Sequence, residues 1–238
     1  MSNTEIKALL FDVFGTVVDW RSSVCKYMLD RMPDEQLKQS IDWDALAEEW
    51  RNAYYKHTKD NATFNGDASF VTVDQQHRHS LSILAEKYEL TKVWSESDLD
   101  EIANAWHYLD GWSDTVEGLI KLKSRFIIAS LSNGNVRLQV DMAKHAKLPW
   151  DMIFAGDIFK VYKPSPKVYL GAIDMLQLKP ENVLMVAAHI YDLNAAKSLG
   201  LSTAYIVREG EDTGLTVTPD QVDYHCANFI DLFEQLTR

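Results

Sequence analysis

The sequence is poor in cysteine. Of its 238 residues only Cys25 and Cys226 are thiols. Two are too few for a disulfide framework, so the expectation is a reduced, cytoplasmic chain held together by its core. Long apolar runs are missing as well. No stretch approaches the ~18 residues of a membrane span, and the polar opening Met1 to Lys7 leads into a strand-like run without the pattern of a signal peptide. Basic charge is in deficit, with 24 Lys and Arg against 35 Asp and Glu and a formal net charge of -11. That argues against nucleic acid or an anionic membrane as partner, since both need a basic surface. Small-molecule substrates remain open, because a local site can be positive on an acidic protein. There is no internal repeat and no low-complexity linker. A glycosylation sequon, Asn61-Ala62-Thr63, stands without a secretion signal and is read as chance.

What is present is ordinary for a globular protein: 46% hydrophobic and 25% charged residues. The length suits one domain, or one domain carrying a large insertion, and can bury a substantial core. Ala8-Leu9-Leu10-Phe11-Asp12-Val13 is nearly continuous in apolar residues and breaks at Gly15. Such a run suits a strand buried on both faces of a parallel sheet. Phe126 to Leu131, Val183 to Ala187 and Thr203 to Val207 repeat it, and Met152 to Ala155 is a weaker version. Between them Thr115 to Lys123, Val136 to Lys144, Pro166 to Leu176 and Leu193 to Leu199 show helical periodicity. The alternation predicts an α/β fold, a Rossmann-like doubly wound parallel sheet with helices on both faces.

One segment breaks the alternation. From about Trp20 to Asp110 the chain is rich in charged and aromatic residues and reads as successive helices, clearest over Asp44 to His57 and Gln75 to Leu90. The expected organisation is therefore a core of residues 1–19 and 111–238 with a helical cap, 20–110, over the strand ends.

Open α/β sheets bind ligands at the carboxyl ends of their strands. Polar residues stand at those places. Asp12 ends the first run, Ser132 and Asn133 follow the second, Lys163 lies in the loop after the weak run, and His189 and Asp192 follow Val183 to Ala187. Each has a plainer reading. A lone Asp is often a helix cap, Ser132-Asn133-Gly134 a simple turn, Lys163 a solvated charge, and Asp192 an acid favoured by a helix N-terminus. Against these, Gly15 allows a sharp turn that aims amides at an anion. Ser165 as N-cap and Pro166 at the first helical position stiffen the loop that carries Lys163. A Lys beside Asp12 would keep that carboxylate ionised. Tyr169 falls in the first turn of the same helix. His77 and His79 are two apart, face different ways on a helix and are read as cap surface.

Leu10-Phe11-Asp12-Val13-Phe14-Gly15-Thr16, Leu131-Ser132-Asn133-Gly134, Tyr162-Lys163-Pro164 and the apolar run before Asp192 occur in the order of the haloacid dehalogenase superfamily. The chain resembles that superfamily over nearly its whole length, and within it the type II L-2-haloacid dehalogenases. Most members of the superfamily are magnesium-dependent phosphatases with Asp-x-Asp as first motif. Here the second Asp is Phe14, which can neither protonate an alkoxide nor activate water, and the fourth motif holds few acids for a hard dication. A halide leaving group needs no proton. Trp50-Arg51 resembles the cap Arg that takes the halide in the dehalogenase branch.

The resemblance implies a small-molecule 2-haloacid substrate, with no cofactor and no magnesium. It implies Asp12 as the nucleophile, and Lys163 and Asp192 positioning the hydrolytic water. Ser132 and backbone amides of Val13 and Phe14 would hold the substrate carboxylate. Arg51 with Asn133 would hold the halide, and Tyr169 and Tyr191 would line the site. The chain departs from the family at Ala187 and His189, which stand where Ser and Asn are frequent. His189 is then either a polar contact or a base for the hydrolytic water. A homodimer is an expectation from the family alone. A phosphatase for a small ester, and a non-catalytic binding protein of the same fold, stay open as alternatives.

Overall fold

The computed structural model describes residues 5–60 and 70–238, and the sequon at Asn61 lies outside them. In chain order the elements are β1 (Ala8–Phe11), β2 (Val18–Asp19), α1 (Trp20–Asp30), α2 (Glu35–Ser40), α3 (Trp43–Asp60), α4 (Val73–Lys87), α5 (Glu96–Ala103) and β3 (Asp110–Gly111). They continue as α6 (Thr115–Lys123), β4 (Ile127–Ser132), α7 (Val136–His145), β5 (Met152–Ala155), α8 (Gly156–Phe159) and α9 (Pro166–Met175). The last are β6 (Val183–Ala187), α10 (Ile190–Ser198), β7 (Ser202–Ile206), β8 (Tyr224–Cys226) and α11 (Phe229–Leu236).

The main sheet has the order β5-β4-β1-β6-β7-β8, and all its pairings are parallel. The doubly wound expectation holds. β1 is central because every one of its residues is apolar, so both faces can be covered. Leu9 and Phe11 join one hydrophobic layer with α6, α7 and α11, while Ala8 and Leu10 join the other with α9 and α10. This is the period-two alternation of a strand. Removing a Leu or Phe side chain of this kind from water is worth roughly 1.5–3 kcal/mol. Met152–Ala155 gave a weak signal because β5 is an edge strand, exposed at its start.

Sequence reading missed the last strand and helix. β8 is three residues long, too short for its pattern to register. α11 packs Phe229 and Leu232 onto the sheet, and Gly118 of α6 lets it come close: a Cβ there would stand 2.4 Å from Phe229 Cβ.

The helices from α1 to α5 form one body between β2 and β3. Those two short strands pair antiparallel, Val18 with Gly111 and Asp19 with Asp110, so the chain leaves and re-enters through a two-stranded neck. We propose the division into core and helical cap on that neck. Trp20, Trp43, Trp50, Trp94 and Trp106 are buried in this body. Its hydrophobic layer is continuous with that of the sheet through Phe14, which meets Tyr54 and Trp106 edge-on at 5.7 and 5.8 Å.

A polar contact pins the two parts together. His107, in the short helical turn after α5, bridges Asp74 of α4 at 3.1 Å and Asp141 of α7 at 3.0 Å. Asp74 also accepts from Asn135 at 2.8 Å. Burial disfavours the charged imidazole, but hydrogen bonds to Asp74 and Asp141 outweigh it and raise the His107 pKa above its ordinary 6.5. A raised folded-state pKa stabilises below the unfolded value and loses that contribution as pH rises through the folded one. We therefore expect His107→Gln to lower the thermal midpoint clearly at pH 6 and much less at pH 9. Parallel melting curves of the two chains at both pH values check this.

Candidate active site

The carboxyl ends of β1, β4 and β6 meet where the sheet's winding reverses, the usual ligand crevice of such sheets. Asp12 follows β1 directly, and its amide donates to Val186 O at 3.0 Å, so the backbone is still part of the ladder. Its side chain is 10% exposed. Three donors hold it. Lys163 Nζ lies 2.9 Å from Oδ1, while Thr16 Oγ1 at 2.8 Å and His189 Nδ1 at 2.9 Å reach Oδ2. The direction of the Thr16 hydroxyl is set, because its oxygen accepts the Ala188 amide at 2.9 Å and its proton is left for Asp12.

Burying a carboxylate costs several kcal/mol even after relaxation. An ion pair at 4 Å returns about 4 kcal/mol at an effective dielectric of 20, and Asp12 has two cations closer than that. Burial thus pushes its pKa up, but Lys163 and then His189 pull it well below the usual carboxylate range. Asp12 is an anion at every pH of interest.

Lys163 is buried and shared. Its ammonium also reaches Asp192 Oδ2 at 2.5 Å, and the Tyr169 hydroxyl donates to Asp192 Oδ1. Asn133 Oδ1 accepts the Lys163 amide at 2.7 Å, which ties the loop before α9 to the end of β4. Asp192 sits in the first turn of α10, fully buried. There, burial raises its pKa, Lys163 lowers it, Asp12 raises it again, and the balance is above the ordinary 3.8. Two carboxylates on one ammonium are thereby driven apart, one a firm anion and the other a stronger base than a free Asp. Environments that separate two titratable groups in this way mark acid–base roles.

His189 precedes α10 and lies between two carboxylates. Its Nε2 is 2.8 Å from Glu211 Oε2, and Glu211 Oε1 accepts Trp20 Nε1 at 2.7 Å. Burial works against a charged imidazole, but Tyr55 and the contacts to Asp12 and Glu211 raise its pKa well above 6.5. Glu211 fits because position 15 is glycine. Gly15 has φ +82, and a Cβ there would stand 2.4 Å from the Glu211 carboxyl carbon. Behind Thr16, Arg208 donates to Thr16 O at 2.9 Å and pairs with both oxygens of Asp114.

Arg51, on α3, is 2% exposed and enclosed by rings. Its guanidinium carbon is 4.4 Å from the ring centre of Tyr55, 4.7 Å from Tyr54, 5.1 Å from Phe14 and 5.4 Å from Trp20. Nη2 donates to Tyr55 Oη at 3.0 Å, whereas Nε and Nη1 are buried and donate to no atom among the described residues. Ring faces offset part of the desolvation, up to about 2 kcal/mol for a close pair. They cannot accept hydrogen bonds in the guanidinium plane, and a buried donor without an acceptor costs roughly 1–3 kcal/mol. The cage is thus built to take an anion. Arg51 opens onto a cleft of about 380 Å³ that Trp20, Tyr55, His189, Tyr191 and Glu211 also line.

The structure thus brings Asp12, Lys163, Asp192, Tyr169, Asn133 and His189 into one hydrogen-bonded cluster, with Phe14 connecting it to Arg51. Ser132 is buried at the end of β4, its oxygen accepting the Gly134 amide at 3.2 Å. Val13 is buried next to Asp12, and Tyr191 stands half-exposed with its ring 5.8 Å from that of His189. Both ring nitrogens of His189 face carboxylates, Nδ1 at 2.9 Å from Asp12 and Nε2 at 2.8 Å from Glu211.

The surface reading of His77 is corrected. His79 is exposed, but His77 is buried on the inner face of α4 and stacked 4.3 Å from the Trp106 ring, its pKa held well below 6.5 by burial and by Arg51. Thr16 and Glu211 were missed. Thr16 lies inside a quoted motif without a role. Glu211 carries no local signal, because a loop after β7 delivers it. Among the described residues, no group of three or more His, Cys, Asp or Glu is arranged to hold a metal ion, and no helix is long and apolar enough to cross a membrane.

The chain is similar to (S)-2-haloacid dehalogenase 4A of Burkholderia cepacia, 30% identical over 208 residues, 86% of this chain and 84% of that protein. It is 27% identical to (S)-2-haloacid dehalogenase 1 of Pseudomonas sp. strain CBS-3 over 91% of both chains. One L-2-haloacid dehalogenase crystal structure superposes with a TM-score of 0.85 at 41% identity, covering 98% of this chain and 100% of that one. A second, of a defluorinating L-2-haloacid dehalogenase, gives 0.86 at 40% identity, with 98% and 96% covered. Residues 6–200 match the family described as haloacid dehalogenase-like hydrolases, and the chain belongs to that family.

Proposed function

We propose that the protein hydrolyses short-chain L-2-haloacids to 2-hydroxy acids through an ester on Asp12, without a metal. The observation that carries this reading is the pairing of a buried, ionised Asp12 with a caged Arg51 whose Nε and Nη1 lack acceptors. A carboxylate of depressed pKa is a nucleophile that needs no base. A desolvated guanidinium with free donors suits a departing halide, which needs stabilising charge and no proton. The named dehalogenases among the relatives support the same substrate class.

In the first step an Asp12 oxygen bonds to C2 from the side opposite the halogen, with inversion. The carbon–halogen pair leaves as halide toward Arg51, with Asn133 beside it. Ser132 and the Val13 and Phe14 amides hold the substrate carboxylate, and Tyr191 lines the approach. In the second step water attacks the ester carbonyl, and Asp192 accepts its proton, held in place by Lys163 and Tyr169. Phe14 supports the metal-free reading, because it stands where the phosphatase pattern has a second Asp and so removes a carboxylate that a hard dication would use. We infer a cytoplasmic location from the two free thiols, Cys25 and Cys226.

Halide release from racemic 2-chloropropionate and from monohaloacetates tests the reading. We expect it to survive EDTA, to consume one enantiomer of 2-chloropropionate, and to vanish in Asp12→Asn. Magnesium-dependent phosphate release from small esters, with no halide from any haloacid, would overturn it.

Arg51→Ala is expected to lower kcat/KM by at least about a hundredfold, the scale of losing a preorganised donor to developing charge. Arg51→Lys should recover only part, because an ammonium cannot offer the same planar fork. Halide assays on both variants check this.

The two carboxylates also predict a split in pH dependence. As pH falls, Asp192, with its raised pKa, takes a proton before Asp12 does. Steady-state turnover should therefore fail at a higher pH than single-turnover halide release, which needs only Asp12 ionised. Rapid-quench and steady-state profiles over the acid range measure the gap.

A further inference from the structure

The second step needs more than a base. When water adds to the Asp12 ester, negative charge appears on an oxygen of Asp12 itself, and something must receive it. The two oxygens are not equivalent. Oδ1 accepts one hydrogen bond, from Lys163, and Oδ2 accepts two, from Thr16 at 2.8 Å and His189 at 2.9 Å. Oδ1 has the freer lone pairs and is the nucleophile. Oδ2 then becomes the ester carbonyl, already facing two donors at the distance an oxyanion requires.

We propose that His189 is a catalytic residue of ester hydrolysis, forming with Thr16 the oxyanion hole for Asp12 Oδ2, and that Glu211 is the positioning residue that keeps its N–H aimed there. The proposal rests on the dehalogenase reading and adds to it.

The atoms balance as follows. Oδ1 bonds to C2, and halide leaves with the electron pair. The oxygen of water bonds to Cγ, its proton goes to Asp192, and the carbonyl pair moves onto Oδ2. As that pair returns, the Cγ–Oδ1 bond breaks. The alkoxide takes the proton from Asp192, and Asp12 releases the second water proton to solvent.

Glu211 matters because of what happens to charge on the way. In the free enzyme both Asp12 and Glu211 stabilise the imidazolium. In the ester Asp12 is neutral, and Glu211 is left as the carboxylate in contact with the ring. Trp20 fixes Glu211 from the other side, and Ala188 fixes the Thr16 hydroxyl. The remaining ionisable groups around His189 are Tyr55, Tyr191 and Asp212, which caps the Ile190 amide at 2.8 Å, with Arg51 beyond Glu211. None of them replaces the Glu211 contact.

The test compares the unsubstituted chain, His189→Ala and Glu211→Gln by rapid-quench halide release, steady-state turnover and intact-protein mass with 2-chloropropionate. For His189→Ala we expect a burst near one halide per enzyme, then steady-state turnover slower by about a hundredfold, with the ester accumulating on the protein. For Glu211→Gln we expect the alkaline limb of steady-state turnover to move to lower pH, since the imidazolium loses the anion that held its proton. Burst and steady state falling together in His189→Ala, with no adduct, would overturn the proposal, as would an unmoved alkaline limb in Glu211→Gln. Absence of halide release from the unsubstituted chain would instead overturn the dehalogenase reading, and this proposal with it.

Discussion

One ammonium organises the site. Lys163 Nζ lies between Asp12 and Asp192, both buried, and each would be costly without it. Because it is shared, it cannot satisfy both equally. Asp12 also has His189 and Thr16 and becomes the firm anion, while Asp192 retains a raised pKa. In the proposed mechanism nucleophile and base thus arise from one residue type, separated by the donors and charges around each. The rest of the local structure serves to hold Lys163 still. Asn133 binds its amide, Ser165 and Pro166 start α9 just beyond it, and Tyr169 returns from that helix to Asp192.

The cations are held by three different means. Lys163 is compensated by carboxylates, His189 by carboxylates on both ring nitrogens, and Arg51 mainly by aromatic faces. That difference sets what each can do. Lys163 gives N–H groups to Asp12 and Asp192, His189 has a carboxylate at each ring nitrogen, and both act on Asp12. Arg51 keeps two donors unsatisfied and can receive something new. The aromatic residues of the helical segment therefore have two functions. They fill the layer between sheet and cap, and they desolvate a guanidinium without satisfying it.

Packing joins the two parts of the chain through the same residues. Phe14, two positions after Asp12, seals the end of β1 under Tyr54 and Trp106 and supports the guanidinium of Arg51. In the phosphatase pattern this position is an acid. A carboxylate there would sit in an aromatic layer beside Asp12 and disturb both the cage and the charge balance. The residue that removes one chemistry is thus part of the packing that permits the other.

Much of this was legible in the sequence, because it depends on short-range pattern. The apolar runs located β1, β4, β6 and β7 to within about two residues, since strands buried on both faces leave no other reading. The Ser165-Pro166 start of α9 and the helical run of the cap follow from local backbone chemistry. Asp12, Ser132, Lys163 and Asp192 could be singled out because strand ends in an open sheet converge. Tertiary structure alone decided what depends on distance across the chain. His77 reads as cap surface from its spacing, yet the α4 face it occupies turns inward onto Trp106. His189 reads as a polar contact or a base, yet Glu211, 22 residues on and carried back by the loop after β7, stands 2.8 Å from its Nε2 and helps to raise its pKa. Charge state is set by the sum of neighbours at about 3 Å, and no window of sequence contains that sum.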